Sequence, residues 1–397
     1  MDISIRMKAI SPSLTLSITA KAKALKEEGV SIISFGAGEP DFNTPKYIID
    51  AAKKVMESGT IKYTPSSGML RLRQKIADKF LQEQGLSYKA NQIIVSNGAK
   101  QSIFNTVAAL INEGDEVIIL APYWLTYPEI ITVCGGKPIC IKGEEKNRFK
   151  VTPQQIAQAC TSKTKMLILN SPVNPTGAVY TKEEIIAIAK ILEDKNIYIL
   201  SDEIYSKLIY NGQEHFSIAC VNEKIKHKTI VVNGVSKTYA MTGWRIGWLA
   251  ANEQIAKAID SFQSHSTSNA CTISQYAALA ALEADNSSEV QQMIATFNSR
   301  RIFMLDKLAK IKDIQAIPAD GAFYVMVNVA KVYGKKFNGV VLKNSIDFAN
   351  ALLDAGVAVI PAIAFGADEC IRLSYAVSKE DIEEGLNRIE KFINMLQ

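Results

Sequence analysis

The sequence predicts an α/β protein: a large, mainly parallel sheet flanked by helices, joined to a smaller α+β unit. Three observations predict it. Short apolar runs without polar alternation recur at 92–96, 116–120, 165–169, 197–201, 229–233 and 246–250, with helical patterns between most of them. Strands of that kind are buried on both faces. The most chemically distinctive residues, among them Asn174, Asp202 and Lys237, fall just past the carboxyl ends of those runs, where open α/β sheets bind ligands. From about residue 288 the pattern changes to a long helix and scattered short strands. A chain of 397 residues exceeds what one simple core supports. We place a large domain at 42–297 and a small one at 1–41 with 298–397.

In chain order, 13–29 reads as an amphipathic helix ended by Gly29, and 32–35 leads into Gly36-Ala37-Gly38-Glu39-Pro40-Asp41. That last stretch resembles a nucleotide fingerprint, but Pro40 and Pro45 forbid the continuous helix such a turn requires. We read it as an irregular loop whose glycines expose backbone N–H groups. A helix follows at 45–58, a turn-rich loop at 62–68, a helix at 70–84, a strand at 92–96 and a helix at 99–111. Beyond the central sheet, a helix is expected at 288–311, strands at 322–328, 357–360 and 370–373, and a closing helix at 379–396.

Composition narrows the function classes. The net charge of +5 is spread without a basic block, so no nucleic-acid partner is expected. Six cysteines form no C-x-x-C pair, and three histidines form no H-E-x-x-H, so neither a disulfide scaffold nor a metal site is expected. No apolar run is long enough to span a bilayer, and Pro12 with several hydroxyl residues interrupts any signal-peptide core. A cytoplasmic location is the expectation.

The chemistry centres on 236–247, SKTYAMTGWRIG. Lys237 stands just past a buried strand that Asn233-Gly234 breaks, and Arg245 follows eight positions later. Desolvation disfavours an ammonium, and a neutral amine condenses with an aldehyde to a Schiff base. A guanidinium nearby would bind a phosphate through its planar fork. Taken alone, the plain reading of a surface lysine and an arginine paired to some acidic group would prevail.

The whole stretch, however, closely resembles the cofactor-lysine segment of class I aminotransferases, pyridoxal phosphate enzymes of the aspartate aminotransferase fold (fold type I). The resemblance extends from 36–41 to Ile371-Arg372-Leu373-Ser374-Tyr375. It implies that Lys237 is the catalytic amine. The turn Ser96-Asn97-Gly98-Ala99-Lys100-Gln101, with Ser236 and Arg245, is implied as the phosphate cup at a helix start. Asn174 is implied to bond the phenolic oxygen and the substrate carboxylate, and Tyr205 the phenolic oxygen. Asp202 is implied to meet the ring nitrogen, and Trp124 to stack on the ring and border the substrate. For Asp202 the plain alternative is a helix cap, and for Trp124 it is core packing. Gly38 and Arg372 match groups that bind the substrate α-carboxylate. Tyr63 matches a tyrosine reaching the neighbouring subunit's phosphate, which implies a homodimer with shared sites. One departure is Gly234, where some relatives carry a hydroxyl on the phosphate.

What the resemblance implies is a ping-pong aminotransferase passing an amino group from aspartate or glutamate to 2-oxoglutarate or oxaloacetate. Lys100 sits in the first turn of a helix, where the dipole disfavours cations. It matches a lysine that meets the distal carboxylate of dicarboxylic substrates; the plain alternative is a lysine facing solvent or phosphate. The rivals are an aromatic or prephenate aminotransferase, a pyridoxal-dependent C–S lyase and a non-catalytic pyridoxal-binding regulator. Prephenate-using relatives tend to carry a lysine near Ser11 and Ser13, and none stands between Lys8 and Lys21.

Overall fold

The computed structural model describes residues 2–285 and 287–397. A one-turn helix, α1 (Ile5–Lys8), precedes α2 (Leu14–Glu27), whose cap Ser13 accepts from the Leu16 N–H. The short β1 (Ile33–Ser34) leads into the 36–41 loop, and α3 (Lys46–Glu57) and α4 (Leu70–Gln84) follow. Helix α4 stops at Gly85, whose φ of 69° an L side chain adopts only with strain.

The large sheet contains β2 (Ile93–Ser96), β3 (Glu116–Ala121), β4 (Lys137–Lys142), β5 (Thr164–Asn170), β6 (Tyr198–Asp202), β7 (Thr229–Gly234) and β8 (Gly247–Ala250). Its order is β2-β8-β7-β6-β5-β3-β4. Only β8 runs against the rest, pairing antiparallel with β2 and β7. Between the strands come α5 (Ala99–Leu110), α6 (Thr126–Val133), α7 (Pro153–Ala159), α8 (Lys182–Leu192) and α9 (Glu223–Lys228). Capping boxes start α7 and α8: Thr152 with Gln155, and Thr181 with Glu184. The strand β4 went unpredicted. It lies at the sheet edge with alternating, part-exposed residues, so no continuous apolar run marks it.

Helices α10 (Glu253–Ser266) and α11 (Thr272–Glu283) come next, and then the long α12 (Ser288–Leu308). This last helix crosses 297–298 without a break, so a helix rather than a linker joins the two sheets. The second sheet has order β14-β15-β10-β9, built from β9 (Gln315–Ala316), β10 (Tyr324–Asn328), β14 (Ile360–Pro361) and β15 (Cys370–Ser374). A small hairpin, β11 (Lys336–Phe337) with β12 (Val340–Val341), stands beside it. The strand expected at 357–360 is two pieces, because the chain changes sheets at Val359. Its first half, β13 (Val357–Ala358), pairs parallel with β1; its second, β14, pairs antiparallel with β15. Helices α13 (Ser345–Asp354) and α14 (Lys379–Met395) cover this unit.

One apolar cluster joins both halves: Tyr205 and Leu208 beyond β6 pack with Phe297, Phe323 and Tyr324. Among the described residues no helix is long and apolar enough to cross a membrane, and no His, Cys, Asp and Glu group could hold a metal ion.

Candidate active site

The carboxyl ends of β2, β5, β6 and β7 open into one cavity of about 520 Å³, closed on its far side by the 36–41 loop and β15. Lys237 lies there, half-buried on the turn after β7. Its Nζ donates to the Gly38 carbonyl at 2.6 Å and stands 5.6 Å from the Phe323 ring. Burial pulls the amine down to about 8; Arg372 and Arg245 push the same way, while Glu39 and Asp202 oppose them.

Asp202 ends β6 and is buried. The Tyr127 hydroxyl donates to its Oδ2 at 2.6 Å, and the Ile204 N–H to Oδ1 at 3.3 Å. Burial pushes its carboxyl up to about 6, and these two donors hold it lower than burial alone would. No helix follows β6 directly; residues 204–207 form turns, so Asp202 is not a helix cap. The adjacent Glu203 is buried, with Ser201 Oγ, Ser217 Oγ and His215 Nε2 at 2.8, 2.5 and 2.7 Å, which pins the strand end.

A chain of hydrogen bonds runs from Asp202 to Arg372. Asn170 Nδ2 donates to the Asp202 carbonyl, the Asn174 N–H to Asn170 Oδ1, and Arg372 Nη1 to Asn174 Oδ1, at 2.8, 2.9 and 3.0 Å. The Arg372 guanidinium lies 4.3 Å from the Tyr324 ring centre and is buried, with no partner for Nε. A buried cation left in that state calls for an anion. Tyr205 and Tyr324 meet hydroxyl to hydroxyl at 3.1 Å.

At the other end, Ser236, Ala99, Lys100 and Arg245 line the wall. The first N–H groups of α5 have no intrahelical partners and gather partial positive charge there. Arg245 sits at a left-handed φ of 58° and donates to the carbonyls of Thr242 and Asn97 at 2.9 and 3.2 Å. A Cβ at Gly98 would lie 2.5 Å from Arg245 Nη2, so only glycine leaves room for that guanidinium. Lys100 Nζ stands 5.0 Å from the Trp124 ring centre, and the indole meets Tyr127 edge-on. Trp124 thus borders the cavity instead of filling the core.

The structure gathers Gly38, Ala99, Lys100, Trp124, Asn174, Asp202, Tyr205, Ser236, Lys237, Arg245 and Arg372 around this one cavity, with Gly98 behind Arg245. Tyr63 does not join them; it is 92% exposed on the surface. Sequence reasoning missed Glu39, Tyr127, Asn170 and Tyr324, as well as Thr15, Leu16 and Thr19 of α2, which also line the wall. Glu39 stands inside the 36–41 loop, while α2 carried no chemical signal. At Gly234 a Cβ would lie 2.9 Å from the Ile246 carbonyl, so close strand approach excludes a side chain.

Pyridoxal phosphate fits these groups. The unpaired Arg372 Nε and the guanidinium cradle at Gly98 mark anion positions at both ends, and a buried carboxylate faces the space between.

The family model for aminotransferases of class I and II matches residues 30–389. An aspartate aminotransferase from Bacillus sp. (strain YM-2) is 49% identical over 98% of each chain. An aspartate/prephenate aminotransferase from Nitrosomonas europaea is 43% identical over 99% of this chain and 100% of its own. The crystal structure of the aspartate aminotransferase from Rhizobium meliloti superposes with a TM-score of 0.96 at 37% identity, covering 100% of both chains.

Proposed function

The chain belongs to the class I and II aminotransferases, and we propose that it passes the amino group of aspartate or glutamate to 2-oxoglutarate or oxaloacetate. The observation that carries this reading is the convergence of Lys100, Lys237, Arg245 and Arg372 on one cavity. Their polar partners are backbone carbonyls, one asparagine oxygen and an indole face. That positive charge suits a ligand pair with one phosphate and two carboxylates.

Pyridoxal phosphate, when bound, supplies an electron-withdrawing ring that stabilises negative charge at the substrate Cα. The protein's groups do the rest. Arg245, Ser236 and the first amides of α5 hold the phosphate. Asp202 keeps the ring nitrogen protonated, and Tyr205 and Asn174 address the phenolic oxygen. Trp124 stacks on the ring. Arg372 grips the α-carboxylate with its fork, beside the Gly38 backbone, and Lys100 takes the distal carboxylate. The Lys237 amine, lowered to about 8, is placed to remove the Cα proton as a general base.

A donor panel with 2-oxoglutarate tests this. Aspartate is expected to react fastest, with parallel double-reciprocal lines. Lys100→Ala should cost aspartate roughly ten- to a hundredfold in kcat/KM, and phenylalanine far less. Intersecting lines, an equal loss for all donors, or turnover of cystathionine alone would contradict it.

The second reading is prephenate or aromatic amination, favoured by the Nitrosomonas europaea relative's name. Against it, α2 reaches the cavity through Thr15, Leu16 and Thr19 and presents no lysine there.

The working unit is a homodimer in the cytoplasm on this reading. Six unpaired cysteines suit a reducing compartment, and Tyr63 is exposed away from its own cavity, free to complete a partner's. Mixing an inactive Lys237→Ala chain with a weak Tyr63→Ala chain should then restore activity, because a mixed dimer contains one intact site. No recovery after subunit exchange would refute the shared site.

A further inference from the structure

Tyr127 touches two of the proposed cofactor residues at once. It stands in the first turn of α6, 3% exposed, and lines the same cavity. Its hydroxyl donates to Asp202 Oδ2 at 2.6 Å, and its ring meets the Trp124 indole edge-on, with centroids 5.4 Å apart at 88°. The other donor to the carboxylate is the Ile204 N–H, at a long 3.3 Å to Oδ1. An aspartate side chain turns about two bonds, and one long backbone contact fixes neither well. A short, charge-assisted bond from a buried phenol fixes both.

We propose that Tyr127 is a positioning residue that aims the Asp202 carboxylate at the cofactor's ring nitrogen while its ring sets the tilt of Trp124. The phenol contributes a second effect. It donates to the ionised carboxylate, so it opposes the burial that raises the Asp202 carboxyl, and it keeps the anion available to pair with a protonated ring. A core tyrosine that merely satisfies its own hydroxyl would have neither consequence. The proposal rests on the pyridoxal phosphate reading above and deepens it.

Tyr127→Phe deletes only the hydroxyl and keeps the ring edge against Trp124. The readout is the dissociation constant of the cofactor from its visible absorbance, measured with pyridoxal phosphate and with the analogue carrying C–H in place of the ring nitrogen. Tyr127→Phe is expected to hold pyridoxal phosphate at least about tenfold more weakly than the native protein. Both proteins are expected to hold the analogue equally. An equal loss for both compounds, or none for pyridoxal phosphate, overturns the proposal. Should Tyr127→Phe alone misfold around a buried charge left short of a donor, Asp202→Asn removes that charge, and Asp202→Asn with Tyr127→Phe is expected to match Asp202→Asn alone. A further loss in the double variant overturns the proposal. Failure of the native protein to take up pyridoxal phosphate overturns the underlying reading, a result distinct from either.

Discussion

At the residue scale, chemistry is set by what surrounds Lys237. Burial lowers the amine to about 8; Arg372 and Arg245 add to the drop, and Glu39 and Asp202 resist it. Only the neutral amine attacks an aldehyde, so capture of pyridoxal phosphate by the cofactor-free protein should quicken with pH and level off above about 8. An ordinary lysine would keep gaining toward about 10.4. Glu39→Gln removes an opposing carboxylate and should move the midpoint lower. Stopped-flow absorbance across pH measures both, and a midpoint near 10 in the native protein would contradict the buried-amine account. The places of Lys237, Asp202 and Asn174 beside the cavity were legible in the sequence because each stands just beyond an apolar run, and Arg245 because it shares the 236–247 stretch with Lys237. Tyr127, Asn170 and Tyr324 were not. Their roles depend on which atom lies across a cavity, and no local pattern encodes that.

At the element scale, the site depends on how closely α5 approaches the sheet. Gly247 of β8 faces the first residues of that helix, and a Cβ there would lie 2.2 Å from the Ala99 nitrogen. Gly247→Ala must therefore push the start of α5 away, at about 1–3 kcal/mol of overpacking. The same shift opens the phosphate cup, so added pyridoxal phosphate should raise the unfolding temperature less than in the native protein. Gly243→Ala is the control, since nothing lies within 4 Å of its added carbon. An unfolding temperature of Gly247→Ala equal to that of the native protein, both without cofactor and with it, would show that α5 does not set the cup. Strands such as β5, β6 and β7 were readable from their apolar runs, since both faces are covered. The edge strand β4 and the split at Val359 were not, because exposure on an edge and a change of sheet both erase the period that marks a strand.

At the scale of the whole molecule, substrate and cofactor groups come from both ends of the chain. Gly38 precedes the large sheet and Arg372 follows it, yet both reach the cavity where β5, β6 and β7 end. The apolar cluster of Tyr205, Phe297, Phe323 and Tyr324 holds the two sheets together behind that cavity. The two-part architecture was legible from the change of pattern near residue 288. Its tight joining through α12 was not, since a continuous helix looks the same within a domain and between two. The central claim is that Lys237 carries the cofactor and that aspartate discharges it. Borohydride reduction of the cofactor-loaded protein, followed by proteolysis and mass spectrometry, tests it most directly. The account predicts a phosphopyridoxyl group on the peptide containing Lys237, and loss of that label when aspartate is added before reduction. A label on another lysine, or one that aspartate leaves untouched, would contradict it.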